Sequence, residues 1–91
     1  MPTIHLEIAG RVQGVGFRWF VKERARRFNV SGWVRNRPDG SVEVAATGDR
    51  KSLDDFVGAL RRGPDGARVD TLRELDEIAA DSLDGDFSIV R

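Results

Sequence analysis

The sequence predicts a small α+β fold, and two observations carry that prediction. Apolar residues recur at every second position over Thr3–Ala9 and then at helical spacing over Phe17–Phe28, so a strand runs almost directly into a helix. Further on, short alternating runs flank the turn signal Arg37-Pro38-Asp39-Gly40, which is the mark of a hairpin, and a second amphipathic run follows. A length of 91 residues bounds the chain to a single domain, taken as 1–91, with one modest core.

In the first strand Ile4, Leu6 and Ile8 point inward and His5 and Glu7 outward, so His5 is expected as a surface histidine and not a ligand. Phe17, Phe20, Val21, Ala25 and Phe28 define the first helix, stopped by Asn29 and Gly32. Trp33-Val34 opens the second strand, with Trp33 turned toward the open sheet face. Val42, Val44 and Ala46 alternate as the third strand, which Gly48-Asp49 breaks. Leu53, Phe56, Val57 and Leu60 give the second helix, with Asp49 or Ser52 as N-cap and Gly63-Pro64-Asp65-Gly66 at its end. Val69, Leu72, Leu75 and Ile78 recur every three residues, which by itself argues helix more than strand. Asp84-Gly85 is a turn before a short terminal strand, Phe87-Ser88-Ile89. There are no repeats, linkers or low-complexity tracts.

Composition excludes several classes of function. The chain has no cysteine and one histidine, so neither a disulfide framework nor a thiolate or histidine zinc site can be built. No stretch approaches the ~20 apolar residues of a membrane span and no leader pattern opens the chain, so the expectation is a cytoplasmic protein without membrane association. Net charge is zero but uneven. Arg11, Arg18, Lys22, Arg24, Arg26, Arg27, Arg35 and Arg37 crowd the first part, while Asp70, Glu74, Asp76, Glu77, Asp81, Asp84 and Asp86 dominate the last. Most of those arginines fall on the polar side of the first helix, where a solvated face explains them better than nucleic acid does. Arg11 and Arg35 read as rim residues.

The stretch Gly10-Arg11-Val12-Gln13-Gly14-Val15-Gly16-Phe17-Arg18 joins the first strand to the first helix. Its glycines allow several backbone N–H groups to converge on one point, and the helix start adds unpaired donors and the positive end of its dipole. Arg18 adds a planar, permanently charged fork matched to two phosphate oxygens. The nucleotide P-loop is excluded because no Gly-Lys-Ser/Thr ending follows. The dinucleotide fingerprint is excluded because Trp19 stands where its last glycine would be. Taken alone, the loop reads equally as a phosphate cradle and as a plain tight turn.

A longer series of residues adds to it. Gly10 to Arg18, then Gly32-Trp33-Val34-Arg35-Asn36, Asp39-Gly40-Ser41-Val42-Glu43, Gly48 and Gly63-Pro64 together resemble the acylphosphatase family, in order along nearly the whole chain. The resemblance implies a ferredoxin-like α/β sandwich, βαββαβ with a short extra C-terminal strand, mainly antiparallel, with two helices on one face. It therefore implies a long strand, regular or bulged, over Val69–Ile78. It also implies that Gln13, Gly14, Val15, Gly16, Phe17 and Arg18 bind the substrate phosphate, that Arg18 and Asn36 are catalytic, and that Asn36 orients the attacking water. No metal and no organic cofactor are implied. In such a topology the first two strands run parallel with the third between them, so the loop and Asn36 meet at one sheet edge across roughly 10 Å. Outside that pattern Asn36 would be an ordinary hairpin residue.

The activity implied is hydrolysis of an acyl phosphate, a mixed anhydride whose carboxylate leaving group has a conjugate acid of pKa roughly 4 and needs no general acid. Inorganic phosphate would be product and competitive inhibitor, and a monomer is the plain expectation. Two other readings remain. A related carbamoyl-phosphate-handling module opens a larger hydrogenase-maturation protein, although this chain stops where the domain stops. An RNA-recognition domain shares the element order but carries its stacking aromatics on strands one and three, and the third strand here, Val42 to Ala46, has none. Trp19 lies off the apolar stripe and reads as surface packing or as the mouth of the site. Arg37 stands where some relatives carry a small hydroxyl residue, so any hydrogen bond from that position to Asn36 is in doubt.

Overall fold

Strand β1 (Thr3–Arg11) leads into helix α1 (Phe17–Arg27), then β2 (Ser31–Asn36), β3 (Val42–Thr47), helix α2 (Arg50–Arg62), β4 (Arg68–Glu74), a 3₁₀ turn (Ala80–Leu83) and β5 (Ser88–Ile89). These are the elements of a computed structural model that describes residues 1–90. The sheet order is β4-β1-β3-β2-β5, with every pairing antiparallel except β2 with β5. This is the ferredoxin-like α+β sandwich that the sequence pattern and the resemblance anticipate.

Local chemistry explains the element ends. Asn29 takes the left-handed conformation at φ 59° and closes α1, while Phe28 N–H returns to the Arg24 carbonyl at 2.9 Å. Of the two candidate caps for α2, Asp49 is the one used, its carboxylate accepting from Ser52 N–H at 2.8 Å. One sheet face, carrying Ile8, Val34, Val42, Val44 and Ala46, packs against Phe17, Val21 and Ala25 of α1 and Leu53, Phe56 and Leu60 of α2, all of them buried. That shared apolar layer is the core, and its burial is the main stabilising term.

The three-residue recurrence after Gly66 is a strand and not a helix. Along β4 the register slips from Ala9 opposite Thr71 to Gly10 opposite Val69, which leaves Asp70 as the extra residue of a bulge. Val69 and Leu72 therefore both pair with β1 positions on the helix side, although a regular strand would turn them to opposite faces. A Cβ at Gly10 would collide with the Arg68 carbonyl oxygen, so only glycine lets this bulge close. The strand ends at Glu74, shorter than the Val69–Ile78 span expected, and Leu75 and Ile78 lie beyond it on the way to the 3₁₀ turn.

The other sheet face is not open. All six residues of β3 are buried, Glu43, Ala45 and Thr47 among them, and the 3₁₀ turn buries Leu83 on that side. Glu7 and Glu43 stand directly opposite each other on β1 and β3, a like-charge pairing that would destabilise the sheet if left alone. Both are answered. Glu43 accepts from Arg35 Nε at 2.7 Å on one oxygen and meets His5 Nε2 at 2.6 Å on the other. Glu7 accepts from Arg37 Nη1 at 2.8 Å and from Arg73 Nη2 at 2.9 Å. His5 also places Nδ1 2.7 Å from the Asp76 carbonyl oxygen and packs edge-on to Trp33. His5 is thus a clamp between the sheet and the chain after β4 and not the plain surface histidine expected. Arg35, expected as a rim residue, is half of an ion pair that lies over Trp33.

Burial works to raise the Glu43 carboxyl, but hydrogen bonds and charge from His5 and Arg35 outweigh it and hold it below its ordinary 4.5. A carboxyl depressed in the folded state contributes stability that is present above the unfolded value and lost as pH falls through the folded one. Glu43→Gln is therefore expected to cost about 1.5–3 kcal/mol at pH 7, the range for hydrogen bonds to a charged group. That cost should shrink once pH drops well below 4.5. Thermal melts of both proteins at neutral and acid pH decide it, and a gap that stays constant would remove the carboxylate from the account.

Candidate active site

The chain between β1 and α1 is short and its ends are fixed. Val12 is buried directly after β1 and Phe17 is buried at the first helical position, so the four residues between them arch over the sheet edge. Gly14 and Gly16 both sit at φ 76°, and nothing lies within 4 Å of where a Cβ would be on either. Glycine is demanded there by the left-handed backbone and by open access, not by packing. Gly16 is the N-cap of α1, supplies no side-chain cap, and no acidic residue occupies the first turn. The first amides of the helix and the positive end of its dipole are left unneutralised. Such a terminus suits an anion.

Asn36 ends β2 at the same edge, because β3 lies between β1 and β2 and is antiparallel to both. It shares the helix side of the sheet with Val34 and Gly32. Its Oδ1 is buried and accepts no hydrogen bond among the described residues. A buried amide oxygen without a partner is uncommon and points to a role for that oxygen. Arg35 and Arg37 on either side of it are engaged by Glu43 and Glu7 on the opposite face, so neither reaches it.

Gln13 ties the loop to the β2–β3 turn. Its Nε2 donates to the Arg37 carbonyl at 2.8 Å and to the Ser41 carbonyl at 2.9 Å, using both amide hydrogens. The turn is itself braced by Asp39, whose carboxylate accepts from Ser41 N–H and Oγ–H at 2.9 and 2.6 Å, bonds that hold its carboxyl below the ordinary range. The loop and the end of β2 are thereby one unit.

Between them lies a pocket of about 220 Å³ lined by Val12, Gly14, Gly16, Phe17, Arg18, Trp19, Asn36 and Ile89. Arg18 makes no hydrogen bond or ion pair with a described side chain, and no carboxylate lines the pocket. A roomier hollow of about 490 Å³ lies between the end of α1 and Gly85–Phe87. It has Lys22 and Arg26 but also Asp86, and no glycine-backed helix start, so it is the poorer anion site. Among the described residues no group of three His, Asp or Glu side chains is placed to hold a metal, and no helix is long and apolar enough to cross a membrane.

Of the residues singled out in the sequence, Gly14, Gly16, Phe17, Arg18 and Asn36 line this one pocket. Gln13 and Val15 do not: the Gln13 side chain faces the turn, and Val15 packs on the core. Ile89 was not anticipated. It reaches the site because β5 pairs parallel to β2 with Ile89 beside Val34, a pairing that its two-residue strand does not announce.

Comparison with known proteins agrees with the geometry. The acylphosphatase family model matches residues 4–89. An acylphosphatase of Salinibacter ruber is 48% identical over 82 residues, covering 90% of this chain and 86% of that one. The crystal structure of acylphosphatase from Bacillus subtilis superposes with a TM-score of 0.93 at 37% identity, covering 100% of both chains. HypF from T. kodakarensis superposes at 0.85 with 31% identity, over 98% of this chain but only 12% of that larger one.

The Gln13 tether generates a direct test. Gln13→Ala removes two hydrogen bonds of about 1 kcal/mol each and should lower unfolding free energy by about 1–2 kcal/mol. Gln13→Glu should cost more, because a carboxylate would face two carbonyl oxygens it cannot donate to. Denaturant melts of both variants check the order, and a Gln13→Glu protein as stable as wild type would show the tether to be dispensable.

Proposed function

The chain belongs to the acylphosphatase family and is an enzyme that hydrolyses acyl phosphates; we propose that Arg18 and the Gln13–Arg18 backbone grip the phosphoryl group while Asn36 holds the attacking water. The observation that supports this most is the unpartnered, buried Asn36 Oδ1 at a pocket that Arg18 and the glycine loop also line.

The chemistry asks little else of the protein. The leaving carboxylate departs without protonation, since its conjugate acid has a pKa of roughly 4. The transferring phosphoryl group must be positioned, its spreading charge balanced, and a water aligned behind it. Arg18 and the loop amides supply a bidentate fork and fixed dipoles that need no reorganisation. Asn36 Oδ1 accepts from the water, and its Nδ2 donates to a phosphoryl oxygen. An amide is no base, so the proton passes to a substrate phosphate oxygen. No covalent intermediate is needed, because the pocket offers no cysteine, serine or histidine. Inorganic phosphate, the product, competes for the same grip. We take the enzyme to be a metal-independent cytoplasmic monomer. The monomer is supported by how few large apolar side chains are exposed among the described residues.

Arg18→Ala should abolish most turnover and weaken phosphate inhibition together, because ground and transition states share the phosphoryl charge. Arg18→Lys should not restore either, since a point charge lacks the fork. Asn36→Ala should lower kcat by about a hundredfold or more, the scale of one lost preorganised donor, while phosphate inhibition changes far less. Steady-state kinetics with phosphate as inhibitor separate the roles, and a large loss of phosphate affinity with kcat intact in Asn36→Ala would reverse them. Activity should also survive exhaustive dialysis against chelator; loss restored by magnesium or zinc would replace this mechanism with a metal-assisted one.

A further inference from the structure

Three large hydrophobic side chains are exposed among the described residues: Met1, Trp19 at 66% and Ile89 at 37%. Met1 is the chain start. The other two come from opposite ends of the sequence and yet line the same pocket as Arg18 and Asn36. We infer that Trp19 and Ile89 form the subsite for the acyl group, and that they select acyl phosphates with a bulky apolar or aromatic acyl portion over small ones. The inference rests on the reading of this pocket as the phosphoryl site.

Folding does not explain either side chain. The buried stripe of α1 runs through Phe17, Val21 and Ala25, and Trp19 lies off it. The indole approaches Lys22, whose Nζ lies 5.9 Å from the ring centroid, and otherwise faces solvent. Ile89 sits on an edge strand beside fully buried Val34, on the side of the sheet that faces α1. Exposed apolar surface of this kind is ordinary when scattered and informative when it converges on a site.

The substrate is two-ended. Arg18 and the glycine loop hold its dianionic end against the helix start, so the acyl carbon and whatever it carries must project out of the pocket. At the mouth they meet an indole and a branched aliphatic side chain. Among the pocket-lining side chains only Arg18 carries a charge and only Asn36 an amide, and the one other polar group is the indole N–H of Trp19. Arg18 and Asn36 are directed to the phosphoryl end in this reading, so a polar acyl group finds only the single indole N–H there, while the rest of the surface it meets is apolar. An aryl ring gains by stacking on the indole and covering Ile89; an acetyl group covers little of either. Lys22, whose Nζ stands over the indole, adds a positive field over the approach.

The test compares benzoyl phosphate with acetyl phosphate on wild type, Trp19→Ala, Trp19→Phe and Ile89→Ala. In Trp19→Ala the ratio of kcat/KM for benzoyl over acetyl phosphate should fall ~10-fold or more, the scale of one lost apolar contact. Trp19→Phe should restore most of that ratio, and Ile89→Ala should lower it by a smaller factor. The inhibition constant of inorganic phosphate, which has no acyl group, should stay within about twofold in all of them, as it would not if the pocket itself were deformed. Equal losses on both substrates, or an unchanged ratio, would overturn the acyl subsite while leaving the phosphoryl site standing. Wild-type protein inert toward both substrates would instead remove the hydrolase reading, and the subsite with it.

Discussion

Strand β3 is the constraint on which the rest of the molecule depends. It is buried along its whole length, hydrogen-bonded on one side to β1 and on the other to β2. Because it is antiparallel to both, β1 and β2 must run parallel and finish at the same edge of the sheet. The loop that leaves β1 and the asparagine that ends β2 are therefore delivered to one place by backbone pairing alone, before any side chain is chosen. The same burial leaves β3, which has no aromatic residue, without the exposed aromatic side chains on which bases stack in RNA-recognition domains.

Burying β3 on both faces brings an electrostatic difficulty, and its solution shapes the site. Glu7 and Glu43 are adjacent across the sheet and each needs compensation. Arg35, Arg37, Arg73 and His5 supply it on the face away from the helices. Strand alternation then sends Asn36, between two engaged arginines, to the other face, where Arg18 makes no described ion pair. Paired charge holds the sheet on one side, and unpaired polar groups gather on the other. The position that follows Asn36 is thereby accounted for: Arg37 gives Asn36 no hydrogen bond, but its side chain anchors on Glu7 and its carbonyl receives Gln13.

Much of this was legible in the sequence, and the limits have physical causes. The helices and the first three strands follow from periodicity and order, while the convergence of the glycine loop with Asn36 follows from the topology that the family resemblance implies. Periodicity misled where a bulge intervened. Val69 and Leu72 imitate a helical spacing because Asp70 inserts an extra residue between two positions of the same face. His5 looked exposed because alternation assigns a face but does not say whether anything covers it; the cover comes from Trp33 and from the chain at Asp76, both distant in sequence. Ile89 was missed for the same reason, since a two-residue strand has too little pattern to reveal which neighbour it joins. For Gln13, a polar side chain in a glycine loop carries no sign of the carbonyls it will meet.

What separates site from scaffold here is where stabilising opportunities are taken and where they are left. Helix α2 has a capping aspartate; α1 has a glycine at the same position and no acidic residue in its first turn. A side-chain cap is typically worth about 1 kcal/mol, so α1 forgoes a stabilisation its neighbour uses. An aspartate at position 16 could cap α1, but its carboxylate would neutralise the dipole and occupy the amides that a phosphoryl group would use, and a side chain there would resist the φ of 76°. The forgone cap, the orphan oxygen of Asn36 and the exposed indole of Trp19 are three local departures from good folding practice, and they share one pocket of about 220 Å³. Departures scattered at random would say little; their convergence is what the proposed site for a dianion with an apolar tail would require.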